Sequence, residues 1–324
     1  MLISEFIIAL ETVVPLSAAG YERDAIGLQI GLPKGTELSA ALFAYELTDK
    51  VIAEAQKRGA NLIVAFHPLI FPNVAAITDQ TRTGALIRDL IKNDIALYIQ
   101  HTAFDTQPEF GTSILMAQAL ELENVSTLKE INPIIQPPID GLNFGMGATG
   151  NWPKAKKLNE VLDLVIETFH TEFVRYNSAG PGKIKKVAML GGAGMEYYKN
   201  AVDSGADAFI TADIRYHDFH RADHDKILLI DAGHAETERF VALGMVNAAR
   251  KALDIAENVQ ESRETAEKVV NLHGSYGKKT FNGSSKTFNV SSRLLLLTHS
   301  EPNAVRYYCQ NRNDPRMSDH TLSK

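Results

Sequence analysis

The chain has 324 residues, 45% of them hydrophobic and 22% charged, enough for a sizeable core and about two domains. A formal net charge of −6 supplies no global basic field, so neither nucleic acid nor an anionic membrane is an expected partner. The single cysteine, Cys309, excludes an intrachain disulfide and a thiolate metal cluster, and it points to a reducing, cytoplasmic setting.

Met1–Phe6 has no basic stretch, and Glu5 and Glu11 interrupt the apolar run, so no signal peptide is expected. No apolar stretch is long enough to predict a membrane span. A helix is predicted over residues 3–14, stopped by Pro15. Gly27–Gly31 reads as a short strand and Leu38–Tyr45 as another. A helix over Asp49–Arg58 follows, with Gly59 at the C-cap position. Asn61–Phe66 is a continuous apolar strand, the kind buried on both faces of a parallel sheet. Helix Arg82–Asn93 and strand Ile95–Gln100 continue the alternation, which argues for βαβ units.

Residues 127–157 are rich in glycine and proline and read either as a domain connection or as a glycine-rich hairpin. The alternation then resumes: helix Lys157–His170, strand Lys185–Leu190, a turn at Gly191–Gly194, and helix Met195–Ser204. Strand Ala208–Thr211, a His-rich segment, strand Lys226–Ile230 and one long helix over Ala235–Ala256 complete this part. Polar residues 271–292 read as a loop or insertion, Arg293–Leu297 as a late strand, and the last ten or so residues as a frayed end.

Three separated segments carry metal-ligand chemistry, each after a strand-like apolar run: Phe66–Phe71, His101–Asp105 and Gly233–Glu238. His234 and Glu238 are spaced i,i+4, so on one helix they share a face and can share a divalent ion. A helix-starting hydrogen bond between them explains the same spacing without metal. Asp231 is placed to steady His234 from behind, and Glu236 reads as a solvated first-turn acid. Singly, His67 reads as an ordinary strand-end histidine, and His101 with Asp105 as a capping network. Together, three such segments after three strands point to a metal centre assembled from distant parts of the chain. His217, His220 and His224 fall on one helical face if Ile214–Asp225 is helical. His220 and His224 read as solvated, whereas His217 is close enough to the end of its strand to face a cleft. Gly191–Gly194 lacks the residues of a phosphate-binding loop and reads as a tight turn. No Walker motif or serine elbow is present, so an NTP-driven motor and a serine hydrolase are not expected.

These residues resemble the Nif-three-like family (NGG-one-interacting factor three), also called GTP cyclohydrolase I type 2 homologues. The resemblance lies in Asp24–Gly31 (family pattern D-N-x-G-L-Q-x-G), Asn61–Phe71 (H-H-P-L-I-F), His101–Asp105 (H-T-x-x-D), Val187–Gly194 with Gly205–Thr211, Tyr216-His217, and Ile230–Glu238 (D-x-G-H-x-x-x-E). It covers about residues 1–255, with a faint echo at Pro302–Tyr308. It implies an α/β fold of two interlocked α/β domains with a dinuclear metal site at their junction, in a toroidal homohexamer. The implied domains are residues 1–125 with about 239–324, and 126–238. Carried over by motif, His67, Asp105, His234 and Glu238 are expected metal ligands. His101 is a ligand or close neighbour, and His217 lines the same cleft.

This chain departs from the family pattern. Phe66 replaces the first histidine of the H-H-P pair, which takes one ligand from one of two ions, and Ser113 stands where an asparagine is usual. Residues 258–300 do not match, and the span from Asp105 to Val187 leaves no room for the extra domain of longer members. The expected function is that of a metal-dependent hydrolase with one or two divalent ions per chain (Zn, Fe, Mn, Co or Ni). Glu238 or Asp105 would position a water, and His217 or His101 would serve as acid/base on an unidentified small molecule: a nucleotide, a phosphoester or a heterocyclic amide-like bond. The alternative is a metal-stabilised oligomeric binding or regulatory protein without turnover.

Overall fold

The computed structural model describes residues 1–131, 143–178, 180–261 and 295–297. The expected loop at 271–292, the echo at Pro302–Tyr308, Cys309 and the C-terminal tail lie outside the described residues. The elements in chain order are α1 (Ile3–Glu11), β1 (Gly27–Ile30), β2 (Ala41–Ala44), α2 (Asp49–Arg58), β3 (Leu62–Ala65), α3 (Arg82–Lys92), β4 (Ala96–Ile99), α4 (His101–Asp105) and α5 (Thr112–Ala119). Then follow β5 (Glu123–Glu130), β6 (Gly145–Lys156), α6 (Leu158–Phe169), β7 (Arg175–Tyr176), β8 (Ile184–Ala193), α7 (Tyr198–Asp203), β9 (Ala208–Ala212), α8 (Tyr216–Asp225), β10 (Leu228–Asp231), α9 (His234–Thr237), α10 (Val241–Glu261) and β11 (Leu295–Leu297).

Two α/β sheets result. The first has the order β1-β4-β3-β2-β11, parallel except for β1 at its edge. Its central strands are buried throughout, as their unbroken apolar sequence requires. Phe6 and Leu10 of α1 with Val241, Met245 and Ala248 of α10 cover one face. Val51 and Ala55 of α2 with Ile87 and Leu90 of α3 cover the other. The second sheet has the order β5-β6-β8-β9-β10-β7, with β8, β9 and β10 parallel. Val161, Val165 and Phe169 of α6 pack on one face, and Tyr198 and Ala201 of α7 with Ala222 of α8 on the other. The chain leaves the first sheet after β4, builds the second, and returns through α10 to β11, which is the interlocked arrangement the resemblance implies.

Capping follows local chemistry. Thr48 accepts from the Val51 amide at the start of α2, and Gly59 ends that helix in the left-handed region at φ 69°. The glycine-rich stretch is a hairpin in part: β5 and β6 pair antiparallel across the undescribed residues 132–142.

Three expectations need correction. Gly191–Gly194 is not a turn, because β8 continues to Ala193 with a register shift against β9. The Thr211 hydroxyl bridges the Gly194 amide and the Gly192 carbonyl, and Thr237 takes the Gly192 amide. The helix beyond it opens with a 3-10 turn at Met195–Tyr197. The long helix over Ala235–Ala256 is two helices, broken at Glu238–Phe240. The Thr237 hydroxyl bonds back to Gly233 and His234 carbonyls, which competes with continuation of the helix. No helix among the described residues is long and apolar enough to cross a membrane.

Candidate metal centre

The C-terminal ends of the parallel strands in both sheets meet in one place. Tyr45 and Glu46 follow β2, Phe66 and His67 follow β3, and His101 opens α4 after β4. From the second sheet come Gly192 near the end of β8, Asp213 after β9, and His234 with Glu238 after β10. His67, His234 and Glu238 each offer a ligand atom, all within 4.8 Å of one another. The focus is Oε2 of Glu238, a buried carboxylate 3.2 Å from His234 Nε2 and 3.5 Å from His67 Nε2. The Tyr45 hydroxyl donates to the same oxygen at 2.7 Å. The i,i+4 pair of His234 and Glu238 thus reaches across to a histidine almost 170 residues earlier in the chain.

Each imidazole is held from behind. His234 Nδ1 lies 2.7 Å from Asp213 Oδ2, and His67 Nδ1 lies 3.2 Å from Glu46 Oε2. A carboxylate on Nδ1 fixes the tautomer whose Nε2 carries the lone pair, the usual support of a metal-ligating histidine. Asp213 has a left-handed backbone, φ 54°, and so aims its side chain where an ordinary strand-end residue would not. Asp231, expected to steady His234, does not. It accepts from Arg175 and from the Ile214 and Gly233 amides, bracing the loop instead.

The space for this cluster is made by glycine. A Cβ on Gly192, whose φ is 65°, would stand 2.3 Å from Glu238 Oε1 and 2.9 Å from His234 Nε2. Two imidazole nitrogens and a carboxylate oxygen, with Nδ1 atoms occupied and a side chain excluded, fit a first-row divalent ion.

His101 stands beside the cluster, its ring 5.7 Å from that of His67. Its Nδ1 meets Asp24 at 2.7 Å, and Asp24 also takes the Thr102 hydroxyl and amide. Burial opposes charge on this pair. The hydrogen bond and mutual attraction prevail, raising the His101 pKa and lowering that of Asp24. For His234, burial pushes downward, but hydrogen bonds and charge from Glu238 and Asp213 carry the pKa up to about 9.

Asp105 lies outside the triangle, with the Thr112 hydroxyl donating to it. Burial and then the charge of Glu238 push its pKa up to about 7. His217 is exposed on α8, its ring 5.3 Å from Tyr216 and 6.5 Å from His220. Phe66 is fully buried, its ring 4.9 Å from His67, 5.5 Å from His101 and 6.4 Å from Phe104. Ser113 accepts from the Gly191 amide at 3.4 Å.

Sequence reasoning missed Tyr45, Glu46 and Asp213 as parts of the site, and used Asp24 only as part of a pattern. Glu46 and Asp213 are acids just past the ends of parallel strands, the same placement that marked His67 and His101.

Residues 1–267 match the family model described as Duf34/NIF3 (NGG1p interacting factor 3). A Streptococcus pneumoniae protein called "GTP cyclohydrolase 1 type 2 homolog" is 34% identical over 242 residues, 72% of this chain and 85% of its own length. A Lactococcus lactis protein of the same description is 31% identical over 267 residues, 82% of this chain and 97% of its own. Among solved structures, a Staphylococcus aureus protein superposes with a TM-score of 0.76 at 24% identity, over 95% of this chain and 99% of that one. A Bacillus cereus protein related to NIF3 gives 0.69 at 25% identity, over 78% of this chain and 93% of that one.

Proposed function

The chain belongs to the Duf34/NIF3 family, and from that premise we propose that it is a divalent-metal-dependent hydrolase acting on a nucleotide, phosphoester or heterocyclic small molecule. One observation carries the reading. His67, His234 and Glu238 converge from two sheets on one point, with both histidines braced at Nδ1. A hydrogen-bonded core histidine needs neither the convergence nor the glycine-lined space. An ion held there supplies Lewis acidity, which makes water a stronger acid and polarises a substrate oxygen.

The protein's own groups do the rest. Glu238 and the two imidazoles bind. Glu46 and Asp213 keep the imidazoles aimed. His101, pinned at Nδ1 by Asp24, keeps Nε2 for exchange of a proton with substrate. Asp105, held by Thr112 and electrostatically coupled to Glu238 and His101, is a second acid at the site. His217, four residues beyond Asp213, is the candidate proton carrier on the side of the second sheet. The same reading includes a homohexamer in the cytoplasm, the former checked by light scattering.

The test is elemental analysis of protein purified without chelator, followed by a hydrolysis screen over nucleotides and aryl phosphates. Glu238→Ala should lose both the ion and turnover. Turnover that survives in ion-stripped Glu238→Ala sinks the mechanism. Phe66 favours the second reading, an oligomeric binding protein without turnover, because an inert ring fills the place beside His67 and His101. If Phe66→His raises the ions per chain and creates activity absent from the natural protein, this second reading holds.

A further inference from the structure

Beside the two imidazole nitrogens and the Glu238 carboxylate oxygen stands a fourth donor atom, the Tyr45 phenol oxygen. We infer that the Tyr45 phenol oxygen is itself a donor to the ion at His67, His234 and Glu238, and that the site is built for ferric iron. This rests on the metal-binding reading above and replaces its divalent ion with a trivalent one.

Donors about 2.0–2.2 Å from one first-row ion stand about 3–3.5 Å apart around it. Glu238 Oε2 lies 3.2 Å from His234 Nε2, 3.5 Å from His67 Nε2 and 2.7 Å from the Tyr45 hydroxyl. The first two separations match one coordination sphere. The third is that edge drawn in by a hydrogen bond.

The ring is flanked on two sides. It stacks on Phe66 at 6.1 Å and 15°, and stands edge-on to His67 at 4.7 Å and 65°. The Tyr45 carbonyl accepts the His67 amide at 3.1 Å, which ties the donor strand ends together. Phe66, buried, thereby acts as the platform that sets the phenol against Glu238. Three protein donors leave a first-row ion short of ligands, and a phenol oxygen supplies a fourth while a further position stays open for water. Phenolate oxygen is a hard donor that favours Fe(III) over the softer divalent choices, as in the tyrosine-ligated haem iron of catalase. On binding, the phenol O–H bond breaks, its electron pair forms the oxygen–iron bond, and its proton goes to solvent. Nothing is oxidised or reduced.

The experiment loads the full-length, chelator-treated protein with ferric citrate and records its visible absorption and resonance Raman spectra. Wild type should show a tyrosinate-to-iron charge-transfer band with enhanced tyrosine ring modes. Tyr45→Phe should lose both while still binding iron, with its thermal melt reporting that the fold survives. Iron-loaded wild type without those modes, or the same modes in Tyr45→Phe, overturns the assignment and leaves Tyr45 as a hydrogen-bond donor to Glu238. Binding of cobalt(II) but not of ferric iron overturns it too, while the metal-binding reading stands. Binding of neither ion removes both.

Discussion

The first sheet brings His67 to the cluster and surrounds it with rings: Tyr45, Phe66 and His101. The second sheet brings two ligands from a single five-residue segment and surrounds them with the absence of side chains at Gly191 and Gly192. One half of the site is positioned by packing, the other by backbone geometry. A wall of packed rings tolerates small volume-conserving changes. At a positive-φ glycine an added Cβ is strained by the backbone and would stand 2.3 Å from a carboxylate oxygen. The two halves should therefore fail differently when perturbed.

The largest effect is expected on the backbone side. Gly192→Ala puts a methyl into Glu238 and forces a left-handed alanine, a strain of about 1–3 kcal/mol before the clash is counted. It should abolish ion binding and lower the melting temperature. An alanine variant with wild-type metal content would erase the contrast between the halves. Next in size are the bracing carboxylates. Asp213→Asn should weaken metal affinity by about 10–100-fold, the usual cost of losing a group that orients a ligating histidine. Glu46→Gln should cost less, because its contact is longer, 3.2 Å against 2.7 Å, and Glu46 is shared with Arg82. Isothermal titration with zinc or cobalt ranks the two, and a reversed order would show that the ring side holds the ion.

The smallest effects are those of pH, and they have opposite signs for the stability of the ion-free protein and for its ion affinity. In the ion-free protein His234 has its pKa raised to about 9, so its contribution to stability is complete below about 6.5 and is lost as pH climbs through 9. Asp105, raised to about 7, adds a loss of stability between about 4 and 7 as it is forced to ionise. The melting temperature of ion-free protein should therefore fall as pH rises. Ion affinity should rise over the same range, by up to about tenfold per unit toward pH 9, because binding displaces the His234 proton. Asp213→Asn should flatten both slopes on the second-sheet side.

The contrast also explains what the sequence discloses. His234 and Glu238 are legible because their i,i+4 spacing is local, and His67 because it ends an apolar strand. The parallel strands and most helices were readable from unbroken apolar runs and caps such as Thr48 and Gly59. Asp213, Glu46 and Tyr45 were not legible as site residues, since an acid or a tyrosine at a strand end looks like any half-solvated residue until the fold brings a histidine to it. The break after Thr237 was hidden because residues 235–256 have helical composition throughout, and the interruption comes from a hydroxyl bonding back to its own turn. The strand through Gly191–Ala193 was hidden because glycines there signal a turn, whereas their use is to leave room.

The return of the chain to its starting sheet fixes an order of events during synthesis. Every strand of the second sheet lies within residues 123–231, so that sheet can close as soon as its own stretch has left the ribosome. The first sheet is begun earlier and finished later. β2 waits for β11 at Leu295–Leu297, and the face carrying Phe6 and Leu10 waits for α10. Until then an apolar helix face and a parallel strand edge stay uncovered, a state prone to aggregation and slow to resolve because its partners are some 250 residues apart. The lobe that emerges first is thus the last to be completed, and the cluster between the lobes forms only when both are in place.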